Sequence, residues 1–201
     1  MKMCMLSAVV WMGVVGCAGP DVQVSRVAAG TTTDLSGRWN DTDARLTSES
    51  LIQECFASPW ITDFIQEQGR KPSIRVRQVV NKTDEHIDAQ VFIKNIERAL
   101  VNSGKAKVLA QEGAELHAVD SEQDRAVSGK QSDDTAVSVG QETGADYVVS
   151  VRVGAVVDQR EGRKVKFYKI NFELISPTSG EKAWIGDYEI KKMVNQRSVG
   201  W

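Results

Sequence analysis

Histidine, cysteine and proline are scarce in this chain of 201 residues, at two, three and four copies. The two histidines, His86 and His117, fall in different stretches, and neither HExxH nor CxxC spacing occurs, so no familiar metal site can be assembled. His86 reads as a neutral or partly exposed side chain in the opening turn of a helix. Serines are common, yet none is expected to act as a nucleophile in a GxSxG, SxxK or similar setting. No glycine-rich loop lies between a strand and a helix, which removes the usual phosphate cradle. Charge of one sign is missing too. Lys and Arg total 25 against 27 Asp and Glu, which gives neither a basic surface for nucleic acid nor an acidic tail. Beyond the N-terminus no apolar run approaches the ~20 residues that span a bilayer as a helix. These absences argue against an enzyme, a cofactor and a bound metal.

What is present begins at the N-terminus. Lys2 supplies a positive charge, Met3 to Val15 are apolar or small apart from Ser7, and Val14-Val15-Gly16 leads into Cys17. The run is too short for a membrane span and ends at a small-residue cleavage point, the pattern of a bacterial lipoprotein signal. Residues 1–16 would be removed and Cys17 acylated as the first mature residue. Two or three acyl chains, at ~0.8 kcal/mol per buried methylene, make a stable anchor. Ala18 is not the Asp that retains such proteins in the inner membrane, so the expected place is the periplasmic side of the outer membrane. Cys4 leaves with the signal, and Cys55 is then alone. It reads as a small hydrophobe on a helix face, with no intramolecular disulfide.

Residues 17–33 are rich in Gly, Pro and Thr without periodicity and read as a tether, ~55 Å long when extended and ~20–25 Å on average as a coil. Residues 34–195 read as one domain and 196–201 as a loose tail. Asp34–Asp43 is turn-rich around Trp39, and Asp41, Thr42 or Asp43 is expected to cap a helix over about 44–57. Pro59 opens a second helix that ends at Gly69. Ser73–Val80 alternates as a half-buried strand, with Ile74, Val76 and Val80 on one face. A helix from about His86 to Ser103, with Asp84 or Thr83 as cap, carries the stripe Ile87, Val91, Phe92, Ile96, Ala99 and Leu100 and stops at Gly104. A short strand over 106–110 closes a βαβ-like unit. A surface helix is expected up to Gly129, and a short one over 135–143. Three strands then follow: Tyr147 onward, 166–175 and 183–190, with a charged loop over 158–164 and a turn at Pro177–Gly180. The sum is an α+β fold: a mixed β-sheet with helices packed on it, ending in an antiparallel meander. Trp39, Trp60 and Trp184 are expected in the core. Tyr188 and Trp201 are candidate partner anchors.

Several stretches carry a family resemblance. DLSGRWNDTDARLTSESLI with the following CFASPW, KTDEHIDAQVFIKNIERALVNSGKAKVLA, GADYVVSVRV and YKINFELISPTSGEKAWIGDYEIKK resemble the LpoB-type activators of penicillin-binding proteins. WNDTD and EHID are the most specific pieces. The resemblance implies an outer-membrane lipoprotein that docks on a non-catalytic domain of a bifunctional peptidoglycan synthase and stimulates it, with a fold similar to the N-terminal domain of TolB. It identifies no docking residues. The short tether departs from the long Pro-rich one of well-known members. A second reading is a structural lipoprotein of an envelope secretion or curli-type assembly, because GADY-plus-strand segments also occur there. It would need a membrane-inserting hairpin, against which Arg152, Arg163, Lys164 and Lys166 argue.

Overall fold

The computed structural model describes residues 23–195 apart from 29, 112, 133, 140 and 141. The signal peptide, Cys17 and the tail from 196 to Trp201 lie outside the described residues. Contacts divide the chain after Thr31. The described residues up to that point carry no helix or strand.

The second unit opens with a strap, residues 34–40, that runs into helix α1 (Asp41–Cys55). Asn40, one residue earlier than expected, is the cap. Its side chain accepts the Asp43 N–H at 3.0 Å, while the Asp43 carboxylate accepts the Asn40 N–H at 2.9 Å. This reciprocal box satisfies two free amides at once, which a cap at Asp41 to Asp43 would leave open. Pro59 starts α2 (Trp60–Gln68), and Gly69 ends it in the left-handed region. Strand β1 (Ser73–Asn81) follows, then α3 (Ala89–Ser103), capped by Asp88 rather than by Asp84 or Thr83, and closed by Gly104 as expected. His86 therefore precedes the helix, in an exposed position of the connecting loop. A two-residue strand β2 (Lys107–Val108) and a surface helix α4 (Ala114–Val127) complete this part. No helix occurs among the described residues of 135–143. Val137 and Val139 are poor helix formers, and that segment offers no apolar face to bury.

The meander is β3 (Tyr147–Arg160), β4 (Arg163–Ile175) and β5 (Lys182–Asn195). The β3–β4 connection is tighter than the expected loop over 158–164. Only Glu161 and Gly162 lie outside the strands, both at positive φ, which suits the right-handed twist of a two-residue hairpin. The sheet order is β2-β1-β3-β4-β5, parallel through β2, β1 and β3 and antiparallel beyond. A bulge after Val76 shifts β1 by one residue, so Val79 rather than Val80 joins the core.

One sheet face is buried under α1, α2 and α3. It carries Ile74 and Val76, Val149, Val151 and Val153, and then Tyr168, Ile170, Phe172 and Leu174. In α3 the burying residues are Phe92, Ile93, Ile96 and Leu100, while Val91 is half exposed. Trp60 and Trp184 are buried as expected. Trp184 packs on Phe172, with ring centroids 5.6 Å apart, by lying over Gly186 at the space where a Cβ would stand. Gly186→Val should therefore displace the indole and lower stability by about 2 kcal/mol, the scale of overpacking a core site. Urea unfolding and the near-ultraviolet tryptophan signal would measure it, and an unchanged midpoint would show that the indole moves freely.

Candidate functional site

The strap is fastened to the sheet by two buried lysines. Lys166 and Lys192 lie at inward positions of β4 and β5 and stand opposite each other in the ladder. Lys166 pairs with Glu85, and both side chains are more than nine-tenths buried. Glu85 comes from the loop between β1 and α3. Asn81 holds that loop by donating from its side-chain amide to the Glu85 carbonyl at 2.7 Å and accepting the Thr83 N–H at 2.9 Å. The second Glu85 oxygen accepts the Trp39 backbone N–H and the Tyr168 hydroxyl, each at 2.9 Å. Lys192 donates to Asp43 at 2.6 Å, Asp34 at 2.8 Å and the Arg38 carbonyl at 3.0 Å, which uses all three ammonium protons. The Trp39 ring closes the arrangement between Phe92 and Tyr168, at 5.6 and 5.7 Å. It is half-buried rather than fully enclosed.

WNDTD and EHID, far apart in sequence, thus meet in one ionic clasp. Its chemistry is that of a lock, because every charged group in it is engaged. Burial, with the charges of Asp43 and Asp84, pushes the Tyr168 phenol up to about 12. Burial acts to lower the Lys192 ammonium, but its bonds to Asp34 and Asp43 prevail and hold it above the ordinary lysine value. The Asp34 carboxyl is held below its ordinary value chiefly by the bond from Lys192, against the opposing effect of burial.

The remaining sequence candidates are scattered. His86 and His117 are exposed on separate elements, and among the described residues no cluster of His, Cys, Asp and Glu could hold a metal. Cys55 is buried, its thiol pushed up to about 12 chiefly by desolvation, and its carbonyl accepts the Trp60 indole N–H at 2.8 Å. Ser179 and Lys182, an SxxK spacing that sequence reasoning missed, sit at an exposed turn, with Ser179 bonded to Glu181 at 3.0 Å and Lys182 to Glu173 at 2.8 Å. A groove of about 370 Å³ lies between α1 and α3, with Ile52, Phe56 and Ala99 inside and Glu49, Arg98 and Lys105 at its rim. The outer sheet face is polar at its centre, where Arg152, Asn171 and Asp187 form one row and Lys169 pairs with Glu189 at 2.9 Å.

The family model described as peptidoglycan-synthase activator LpoB matches residues 43–190. Among solved structures, the chain is similar to the LpoB C-terminal domain from Escherichia coli at 14% identity, covering 75% of this chain and 99% of that one with a TM-score of 0.43. It is also similar to the LpoB C-terminal domain from Salmonella enterica at 16% identity, 75% and 99% coverage and a TM-score of 0.38. Lipoprotein GNA1162 from Neisseria meningitidis matches at 19% identity, 63% and 88% coverage and a TM-score of 0.39. A search of curated proteins finds no match.

Two outcomes follow from the clasp. Glu85→Gln leaves Lys166 buried without its counter-ion and should cost ~3–5 kcal/mol in urea unfolding. Adding Lys166→Met should recover part of that loss, because an apolar side chain needs no partner. A cost for Glu85→Gln below ~1 kcal/mol would mean that the pair is solvated. Stability should also be flat near neutrality and fall at both extremes of pH. A lowered folded-state Asp34 contributes above the ordinary carboxylate range and is lost as pH falls through its folded value. A raised Lys192 contributes below the ordinary lysine value and is lost as pH rises through its folded value, and Tyr168 is lost between about 10 and 12. Asp34→Asn should flatten the acid limb, read by unfolding midpoints across pH.

Proposed function

The chain belongs to the LpoB family of peptidoglycan-synthase activators, and from that membership we propose that it is a lipoprotein that binds and activates a bifunctional, class A penicillin-binding protein. The observation that carries the reading is the family match over residues 43–190, which runs from the Asp43 of the capping box to Ile190 in β5 and so covers most of the folded unit. The clasp supports a role in binding rather than in catalysis, since its lysines, carboxylates and phenol are all committed to one another. In this reading Cys17 carries the lipid, the anchor lies in the periplasmic leaflet of the outer membrane, and the activator has no catalytic centre of its own. With at most ~55 Å of extended chain between the lipid and the domain, a synthase held in the inner membrane must extend a domain of its own toward the activator.

The alternative of a structural lipoprotein in an envelope assembly calls for ~9–11 residues per strand of lipid-facing apolar alternation. The outer face of β3, β4 and β5 instead carries Arg152, Lys169, Glu173, Asp187 and Glu189. That favours the activator.

The mature protein, added to each class A synthase of its host, should bind one of them and raise its rate of glycan polymerisation severalfold in detergent. Absence of binding to every such synthase at tens of micromolar would overturn the reading while leaving the fold untouched. Palmitate labelling that disappears in Cys17→Ser would test the anchor separately.

A further inference from the structure

The hairpin end of the domain differs from the rest of its surface. Strand β1 stops opposite Val153, so the last turns of β3 and the first of β4 project beyond it with β5 alongside. On the outer face of this projection Val156, Phe167 and Lys191 stand in one row, and Asp158, Val165 and Met193 in the next. Val156 and Met193 are about two-thirds exposed, at 66% and 69%. At the tip Arg160 stands opposite Arg163 on this outer face, and Lys164 follows on the inner face. Glu161 lies 3.3 Å from Arg160. Among the described residues Arg163, Lys164 and Lys191 form no ion pair.

The strap enters at this same end. Asp34, Leu35, Ser36 and Gly37 line a cleft with Lys191 to Asn195 of β5, the residues that pair with the start of β4. The chain leading from the anchor therefore joins the domain beside the hairpin.

We propose that this hairpin end is a second membrane contact, a headgroup-level site for anionic phospholipid on the leaflet that holds the anchor. The geometry rests on acylation at Cys17, the anchor assigned under the proposed function. The charge pattern matches the ligand: Arg163 and Lys191 on the outer face and Lys164 on the other side of the tip offer cations to phosphate, while Val156, Phe167 and Met193 can settle at the boundary between headgroups and acyl chains. The acids beside them keep the site weak on its own, within reach of an excess of vesicle lipid, and a high local concentration strengthens it. An anchor at Cys17 supplies that, because the chain from Cys17 to Asp34 reaches at most ~55 Å. Two-point attachment then orients the domain. The opposite end, with the β4–β5 turn at Pro177–Gly180 and the end of α3 at Gly104, faces away from the membrane.

The test uses the mature chain with Cys17→Ser, so that no lipid contributes, and vesicles of phosphatidylcholine with or without 30% phosphatidylglycerol. Co-sedimentation should show binding to the anionic vesicles only, falling at least tenfold between 50 and 500 mM salt. Arg163→Glu with Lys164→Glu should reduce it at least tenfold. The same charge change at Arg125 and Lys130, beside the end of α4, should leave it as it was. Circular dichroism would confirm that each variant is folded. No selective binding to anionic vesicles, or binding equally reduced by both pairs of substitutions, overturns the proposal. Synthase stimulation in detergent, which has no bilayer, should survive the hairpin substitutions, so failure of this site is distinguishable from failure of the activator reading.

Discussion

The Lys166–Glu85 pair is the contact on which the rest of the arrangement depends. Removing two charges from water costs several kcal/mol each, and the protein offsets this only by giving both groups further partners. Glu85 finds them in the Trp39 amide and the Tyr168 hydroxyl, which lie on different elements. The pair therefore holds only while the strap, the β1–α3 loop and β4 are all in place. Such a site acts less as a source of net stability than as a condition that one arrangement satisfies. Lys192 repeats the logic one strand over, binding Asp34, Arg38 and Asp43, and so carries the constraint into the first turn of α1.

Much of the fold was legible because its signals are local. Gly69 and Gly104 end helices in the left-handed region, where a residue without Cβ is favoured. The alternation Tyr168, Ile170, Phe172 and Leu174 marked the inner face of β4, and the spacing of strand, helix and strand marked the parallel unit. The clasp escaped because Glu85 and Lys166 are 81 residues apart, and no window of sequence contains both. A signal was there nonetheless. Lys166 continues the inward series of β4 by one step, and Lys192 does the same after Tyr188 and Ile190 in β5. A lysine at an inward position of an otherwise apolar alternation implies a buried counter-ion. The bulge in β1 escaped for a different reason: SIRVRQVV alternates cleanly through Arg77 and then, after Gln78, offers adjacent valines, and the choice between Val79 and Val80 is made by tertiary packing.

For function, the consequence is a division of labour along the molecule. The interior of the sheet and the clasp are committed to structure. What remains for partners is the surface: the α1–α3 groove, the polar outer sheet and the hairpin end where the strap arrives. That division is compatible with membership in a family of peptidoglycan-synthase activators.

Residues 34–40 are fastened to the folded domain through Asp34, Trp39 and Asn40, and native-state amide hydrogen exchange tests this most directly. The Trp39 and Asn40 amides, bonded to Glu85 and Asp43, should exchange as slowly as those of β4, at the rate set by global unfolding. Exchange as fast as that of residues 23–28 would show that the strap opens independently, and the clasp would then be an accessory to the fold rather than its fastening.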